Sequence, residues 1–430
     1  MNKKIGVTEA QIGMYVAELD RPWRDTPFLF QGFKITSDEE LKQLAKHCKH
    51  IYIDTSQGAD INPMHAAAGL YGEAPQQTEP ESVEPVHLVA EESVKQALDE
   101  VHSRTAPAYR DMTTLDEEIQ SAREVESKTR HMIYDIMEDV RLGRSINAEG
   151  AKQVVGEMTE SIVRNPDAMI CFSQLKNRDE YTALHSLRVC ILALVFGRHL
   201  GLPKEGLNVL GIGALLHDVG KMKISTELIN KPGKLSKEEF EEIKSHVPLG
   251  VEILDVARGI PRAAVDVARF HHERYDGTGY SGGRTGQEIS LFGQIGGIVD
   301  CYDAITSDRS YHIGMSSHEA LRRMYEWRNR NFDPGMIEQF IQCMGVYPIG
   351  SLVEMSTGSI GVVATINRTR RLRPKVVMVL TPDKRPFTPV KIVDLYHTPI
   401  DDESGHKLEI SRVLPAGTHG INPTDYLPLH

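Results

Sequence analysis

The chain has 430 residues, 40% of them hydrophobic and 25% charged, and its 60 Asp and Glu against 49 Lys and Arg leave a formal charge of −11. That length exceeds what one hydrophobic core usually serves, so two or three domains are expected. The acidic balance excludes a broad electrostatic footprint for duplex DNA or anionic lipid, while a small anionic ligand can still be met by a locally positive site.

The opening stretch MNKKIGVTEAQIGMYVAELD has no long apolar core, and no later segment carries eighteen uninterrupted apolar residues. A cytoplasmic protein that contacts no membrane is therefore expected. Cys48, Cys171, Cys190, Cys301 and Cys343 are odd in number and unclustered. They suit a reducing compartment and offer neither a disulfide framework nor a cysteine zinc site.

Residues 1–64 read as a small α+β accessory module. Short apolar stretches at Met14-Tyr15-Val16 and Ile51-Tyr52-Ile53 flank a helix that Ser37 and Glu40 can open as a capping box. Between them, Arg21-Pro22-Trp23 and Thr26-Pro27-Phe28-Leu29-Phe30 set aromatics among prolines, which suits core filling or a protein-docking surface. In residues 65–110, Pro75, Pro80 and Pro85 sit among Gln, Glu and Ser, the composition of a flexible linker. Residues 111–149 hold a long connecting helix, with Ile119, Ala122, Ile133, Ile136, Met137 and Val140 at roughly helical spacing. Such a stripe serves equally a homodimer seam or packing on its own domain.

Residues 150–345 read as an all-α core domain: Glu180 to Leu200 and Leu207 to Lys221 are apolar nearly all round, Ser236 and Glu239 form a second capping box, and Arg262 to Phe270 and Ile289 to Thr306 continue the pattern. From 346 to 430, β-branched runs at Ser359 to Ile366, Lys375 to Leu380 and Pro389 to Tyr396 indicate a small β-rich extension.

Seven side chains in the helical region carry the chemistry: His185, His217, Asp218, His246, His271, His272 and Asp300. A single histidine on an apolar helix is usually a satisfied core residue. Burying His185, His217 and Asp218 together without a shared purpose would cost a few kcal/mol per unpaired group, and a shared cation supplies that purpose. Imidazole and carboxylate hold borderline divalent metals, and seven ligands is what two ions sharing one aspartate would consume. Adjacent side chains lie about 100° apart on a helix, so His217 and Asp218 can both reach ions in front of one face. The expected sets are His185, His217, Asp218 and Asp300 for one ion, and Asp218, His246, His271 and His272 for the other. A metal pair of this kind lowers the pKa of a trapped water and braces the attacking and leaving oxygens of a phosphoryl displacement.

The blocks HDVGK at 217–221, INKPGKLSKEEF at 229–240, SHVPLG at 245–250, HHERYDGTGYSGG at 271–283 and DCYDAITSDRSY at 300–311 resemble, in order and spacing, the signature of HD-GYP domains. The N-terminal MYVAELDRPW and TPFLFQGF resemble an uncharacterised domain often found upstream of them. The resemblance implies an HD-type helical core with two or three divalent ions, iron or manganese foremost and Zn, Ni, Mg or Ca accepted. It also implies hydrolysis of cyclic di-GMP to pGpG through a metal-bridging hydroxide, with a second cut to GMP in some members. Its metal ligands fall on the seven positions above. Asp218 and Lys221 would be catalytic, with Lys221 also neutralising phosphate charge, Gly279 and Tyr280 lining the substrate, and Arg309 gripping a phosphate.

Two departures stand out. Ser281 replaces the third-letter proline, which removes a φ constraint and is expected to leave the loop more mobile. Tyr181 stands where three-metal members place a glutamate, with Glu180 one position off, so two ions are expected. A cyclic-dinucleotide receptor with little turnover, or an HD-type phosphohydrolase acting on another nucleotide, fits the same residues.

Overall fold

The computed structural model describes residues 2–21, 26, 28, 32–59, 109–175, 181–308, 314–398, 405 and 407–429. The chain divides into two compact units, Met1–Leu88 and Val89–His430. The sequence readings that fall on Glu180, on Arg309 and on the linker before Tyr109 lie outside the described residues, as does the side chain of Tyr181.

In the first unit, strands β1 (Asn2–Gly6), β2 (Tyr15–Leu19), β3 (Phe33–Lys34) and β4 (His50–Asp54) form an antiparallel sheet in the order β1-β4-β2-β3. Helix α1 (Asp38–His47) is opened by the capping box expected from the sequence: Ser37 Oγ accepts from the Glu40 amide, and the Glu40 carboxylate accepts from the Ser37 amide. Met14, Val16, Phe33, Ile35, Leu44, Ile51 and Ile53 form the core. Phe28 stacks on Phe33 at 4.8 Å and packs against that core, which favours the core-filling reading for this residue.

The second unit opens with α2 (Leu115–Arg141), α3 (Ala148–Arg164), α4 (Pro166–Ser173), α5 (Tyr181–Leu200) and α6 (Lys204–Leu216). The apolar stripe of α2, including Ile119, Val125, Ile133, Ile136 and Val140, is buried, and α2 lies against α3, α4 and α5 of its own chain. Helix α5 is long and apolar enough to cross a membrane over Thr182–Leu200, but 94% of that stretch is buried inside the protein. It is the central helix of a globular core.

A 3₁₀ turn (Val219–Lys223) follows α6 and leads to α7 (Thr226–Ile229), α8 (Lys237–Lys244), α9 (His246–Val256), α10 (Arg262–Phe270), α11 (Leu291–Thr306), α12 (Ser317–Glu326) and α13 (Pro334–Met344). The sequence reading carries the α6 helix through to Lys221, yet it ends at Leu216: His217 is its C-cap, and Asp218 has left helical geometry at φ −101, ψ 9. The reason is a close crossing. A Cβ on Gly220 would lie 2.0 Å from the His246 carbonyl oxygen and 2.5 Å from the Gly250 amide, so only glycine lets this turn meet α9. The same device brings α11 onto α10, where a Cβ on Gly293 would lie 2.5 Å from Phe270 and one on Gly297 3.0 Å from the His271 carbonyl.

After α13, strands β5 (Leu352–Met355), β6 (Ile360–Thr365), β7 (Lys375–Leu380), β8 (Pro386–Asp394) and β9 (Ile410–Leu414) form an antiparallel sheet in the order β8-β7-β6-β5-β9. Val353, Met355, Val363, Val376, Met378 and Leu395 fill its buried side. The sheet is clasped to the helices by Arg368, which pairs with Asp111 at 2.9 Å and with buried Asp167, while the Ile366 amide donates to Asp167 at 3.3 Å. The architecture is the multidomain one expected: a helical core, an α+β N-terminal unit and a C-terminal sheet.

Gly220→Ala should destabilise the protein by about 1–3 kcal/mol, since backbone atoms on α9 cannot move aside as a flexible side chain would. Chemical denaturation checks this, and a midpoint equal to wild type would remove the close-crossing argument.

Candidate metal centre

The seven singled-out side chains converge from six places. His185 comes from α5, His217 from the end of α6, Asp218 from the turn after it, His246 from the start of α9, His271 and His272 from the end of α10, and Asp300 from α11. All are buried except His272, whose side chain is 18% exposed.

Three of the histidines are held alike. The carbonyl three residues earlier takes the Nδ1 proton: Ala214 for His217 at 2.8 Å, Ile243 for His246 at 2.7 Å and Ala268 for His271 at 2.9 Å. A carbonyl oxygen can only accept, so Nδ1 carries the proton and each Nε2 presents a lone pair. Yet Nε2 of His246 and Nε2 of His271 lie 3.3 Å apart, with neither able to donate in that tautomer. Lone pairs facing one another in a buried site call for a cation between them.

Asp218 divides its carboxylate between two halves of the site. Oδ2 lies 3.4 Å from Nε2 of His217 and 3.6 Å from Nε2 of His185, while Oδ1 lies 3.4 Å from Nε2 of His246 and 3.8 Å from Nε2 of His271. Among the described residues, neither Asp218 Oδ1 nor His217 Nε2 has a hydrogen-bond partner. Candidate ligand atoms cluster as His246, His271 and His272, as His185, His217 and Asp300, and as His217, Asp218 and His271. The donor set, the burial and the orphaned atoms all fit divalent metal. Asp300 Oδ1 lies 3.1 Å from His185 Nε2, and its Oδ2 is 4.0 Å from His272 Nδ1.

Charge states fit the same use. Burial lowers the pKa of His217, His246 and His272, and that of His271 to about 3, so these rings are neutral near pH 7. Burial would raise Asp218 and Asp300, but Lys221 with the surrounding imidazoles, and His185 in the case of Asp300, hold both well below the usual carboxylate range. His185 goes the other way: burial opposes its charged form, but hydrogen bonds to Asp300 and Asp303 outweigh it.

Two residues absent from the sequence reading orient His185. Asp303 Oδ2 accepts from His185 Nδ1 at 2.7 Å, and Arg188 grips both Asp303 oxygens at 2.7 and 3.0 Å. Their signal was spacing: Asp303 is one turn beyond Asp300, and Arg188 one turn beyond His185. Glu273 was also missed. Buried next to the His271-His272 doublet, its carboxylate accepts from the Gly282 amide at 2.7 Å and the Arg284 amide at 3.1 Å and so closes the 276–283 loop.

Lys221 Nζ reaches Asp218 Oδ2 at 2.5 Å. In the loop, Asp276 Oδ1 accepts from the Thr278 amide and hydroxyl at 3.0 and 2.6 Å, and Gly279 has no room for a side chain, because a Cβ would lie 2.4 Å from the Arg274 amide. Tyr280 donates its amide to the His272 carbonyl at 3.2 Å and stacks its ring on the His272 imidazole at 4.5 Å. Ser281 has φ 110. Proline is held near −65°, so the change at this position does more than release a constraint: this backbone path is closed to proline.

Residues 168–336 match the HD domain, and residues 2–151 match a domain of unknown function, DUF3391. Phosphodiesterases of this HD class are metal-dependent. The chain is 36% identical over 397 residues to the cyclic di-GMP phosphodiesterase PA4108 of Pseudomonas aeruginosa, covering 92% of this chain and 89% of that one. It is 33% identical over 169 residues to the cyclic di-GMP phosphodiesterase response regulator RpfG of Xanthomonas campestris, covering 39% of this chain and 45% of the relative. A solved HDG"Y"P protein, Bd1817 of Bdellovibrio bacteriovorus, covers 79% of this chain and 98% of its own at 18% identity and TM-score 0.45. The chain belongs to the HD-GYP family of cyclic di-GMP phosphodiesterases.

Ser281→Pro, which restores the family's letter, should lower stability by about 1–3 kcal/mol, whereas Ser281→Gly should raise it by up to about 1 kcal/mol. Denaturation midpoints of the two variants decide it. Metal-stripped protein should also lose stability as pH falls below the ordinary histidine value of 6.5. The unfolded chain takes up protons there while His217, His246, His271 and His272 stay neutral in the fold, so the folded state binds fewer protons. Of the site's histidines His185 opposes the trend, and a melting temperature that rises with acidification over that range would contradict the sign.

Proposed function

We propose that this chain hydrolyses cyclic di-GMP at a centre of two divalent ions, with iron or manganese foremost. The observation that carries the reading is the split carboxylate of Asp218, one oxygen facing His185 and His217 and the other facing His246 and His271. One set would be His185, His217, Asp218 and Asp300, the other Asp218, His246, His271 and His272. Such ions, when bound, supply Lewis acidity to a phosphoryl oxygen and an acidified water as nucleophile.

The remaining work falls to the chain. The neutral imidazoles of His217, His246, His271 and His272 keep their lone pairs available without a proton having to leave first, and Asp303 with Arg188 fixes the ring of His185. Lys221, fixed beside Asp218, would neutralise charge that grows on the phosphoryl oxygens, and Arg309 is assigned a second phosphate contact by resemblance alone. Gly279 and Tyr280 would border the substrate. Water adds to phosphorus, the bond to the 3′ oxygen breaks with one of the water's protons ending on that oxygen, and the product is linear pGpG, which some members of the family cut a second time to GMP. The five free cysteines support a cytoplasmic setting. A homodimer through residues 111–149 draws no support from α2, whose apolar stripe is spent within its own unit, while the N-terminal module keeps the protein-docking role.

One observation favours a second reading. The positive φ of Ser281 sets the tyrosine loop apart from the proline-bearing version, as a weakly turning receptor would allow. Anaerobically prepared protein loaded with Mn²⁺ or Fe²⁺ should release pGpG from cyclic di-GMP over many turnovers, and His217→Ala and Asp218→Ala should fall to background with reduced metal content. Full metal occupancy with no more than one turnover would leave the receptor reading. Asp303→Asn should weaken metal affinity by about 10–100-fold while leaving every ligand in place. Metal titration of that variant checks it, and an unaltered affinity would mean that Asp303 does not position His185.

A further inference from the structure

Helix α8 buries none of its residues, so Phe240 on it lies outside any core and is 44% exposed. An exposed phenylalanine on a charged helix stabilises little by burial. What it touches is the site. Its ring meets Tyr280 edge-on at 6.2 Å, and Tyr280 stacks in turn on His272 at 4.5 Å, so three rings run outward from the metal centre to the surface. Lys244, one turn further along α8, holds its ammonium 4.8 Å from the centre of the Phe240 ring and 5.6 Å from that of Tyr280, and pairs with Glu241 at 2.7 Å.

The geometry points to a purine-stacking shelf. Phe240 would take the face of a guanine base of the substrate, and Lys244, leaving Glu241, would meet the phosphodiester that is not being cut. Sequence-tolerant recognition of nucleotides elsewhere uses this pairing of an open aromatic face with an adjacent cation. The capping box of Ser236 and Glu239 and the ion pair of Lys231 with Glu239 at 2.5 Å fix the start of α8, so the shelf is presented on an ordered helix. Phe240 and Lys244 would then set affinity for the dinucleotide, with Lys221 and the metal ligands left to the chemistry. The inference rests on the proposed substrate.

Binding and turnover separate the two ideas. Cyclic di-GMP is titrated against metal-loaded wild type, Phe240→Ala, Phe240→Trp and Lys244→Met by calorimetry, and pGpG release is followed in parallel. The shelf predicts a rise in Kd of about tenfold or more for Phe240→Ala, near-wild-type binding for Phe240→Trp, an intermediate loss for Lys244→Met, and unaltered metal content throughout. Since Phe240 lies outside the core, the alanine variant should fold, and circular dichroism verifies it. Wild type that binds but does not turn over sinks the hydrolase reading and leaves the shelf standing. Phe240→Ala binding within twofold of wild type, equal losses in the alanine and tryptophan variants, or no binding by wild type, each overturns the shelf.

Discussion

A carboxylate buried among imidazoles is a costly arrangement unless something draws them together. Asp218 is buried, has an oxygen with no hydrogen-bond partner among the described residues, and faces ring nitrogens whose protons are committed on the far side to backbone carbonyls. Coulomb attraction to Lys221 covers one oxygen only. The rest of the helical core can be understood as a frame that keeps these mutually unfavourable groups in place for cations to bind.

That frame works by close approach. Gly220 lets the turn carrying Asp218 touch the start of α9, and Gly293 and Gly297 let α11 press on the end of α10, so ligands distant in sequence meet within hydrogen-bond range. The i−3 carbonyls at helix ends then set the imidazole tautomers at no cost in extra side chains. His185, in mid-helix, has its own carbonyls engaged and needs a carboxylate instead, which is the part Asp303 and Arg188 play. Around the rim, Glu273 ties the tyrosine loop and Tyr280 covers His272, linking the buried chemistry to the rings of α8.

Much of this was legible in the sequence. The Ser37 and Ser236 capping boxes, the exact span of α10 over Arg262 to Phe270 and that of β7 over Lys375 to Leu380 follow from periodicity and end signals. The seven convergent residues could be singled out because buried imidazoles and carboxylates need a shared purpose. The end of α6 could not, since nothing local stops an apolar run at Leu216; a tertiary contact through Gly220 does. Strands β5 and β9 escaped because Leu352–Met355 and Ile410–Leu414 are short, and it is their pairing, β5 with β6 and β9 and β9 with β5, that identifies them. Asp303 and Arg188 escaped because their partners are more than a hundred residues away. The φ of Ser281 lies beyond sequence reasoning altogether, because a proline-to-serine change announces freedom and says nothing of the path taken.

The most direct test is crystallography of anaerobically prepared protein at the absorption edges of iron and manganese. Two anomalous peaks, one on each side of Asp218 and each bonded to one of its oxygens, are the result this account predicts. A single peak, or an Asp218 paired with Lys221 alone and no anomalous density beside it, would contradict it.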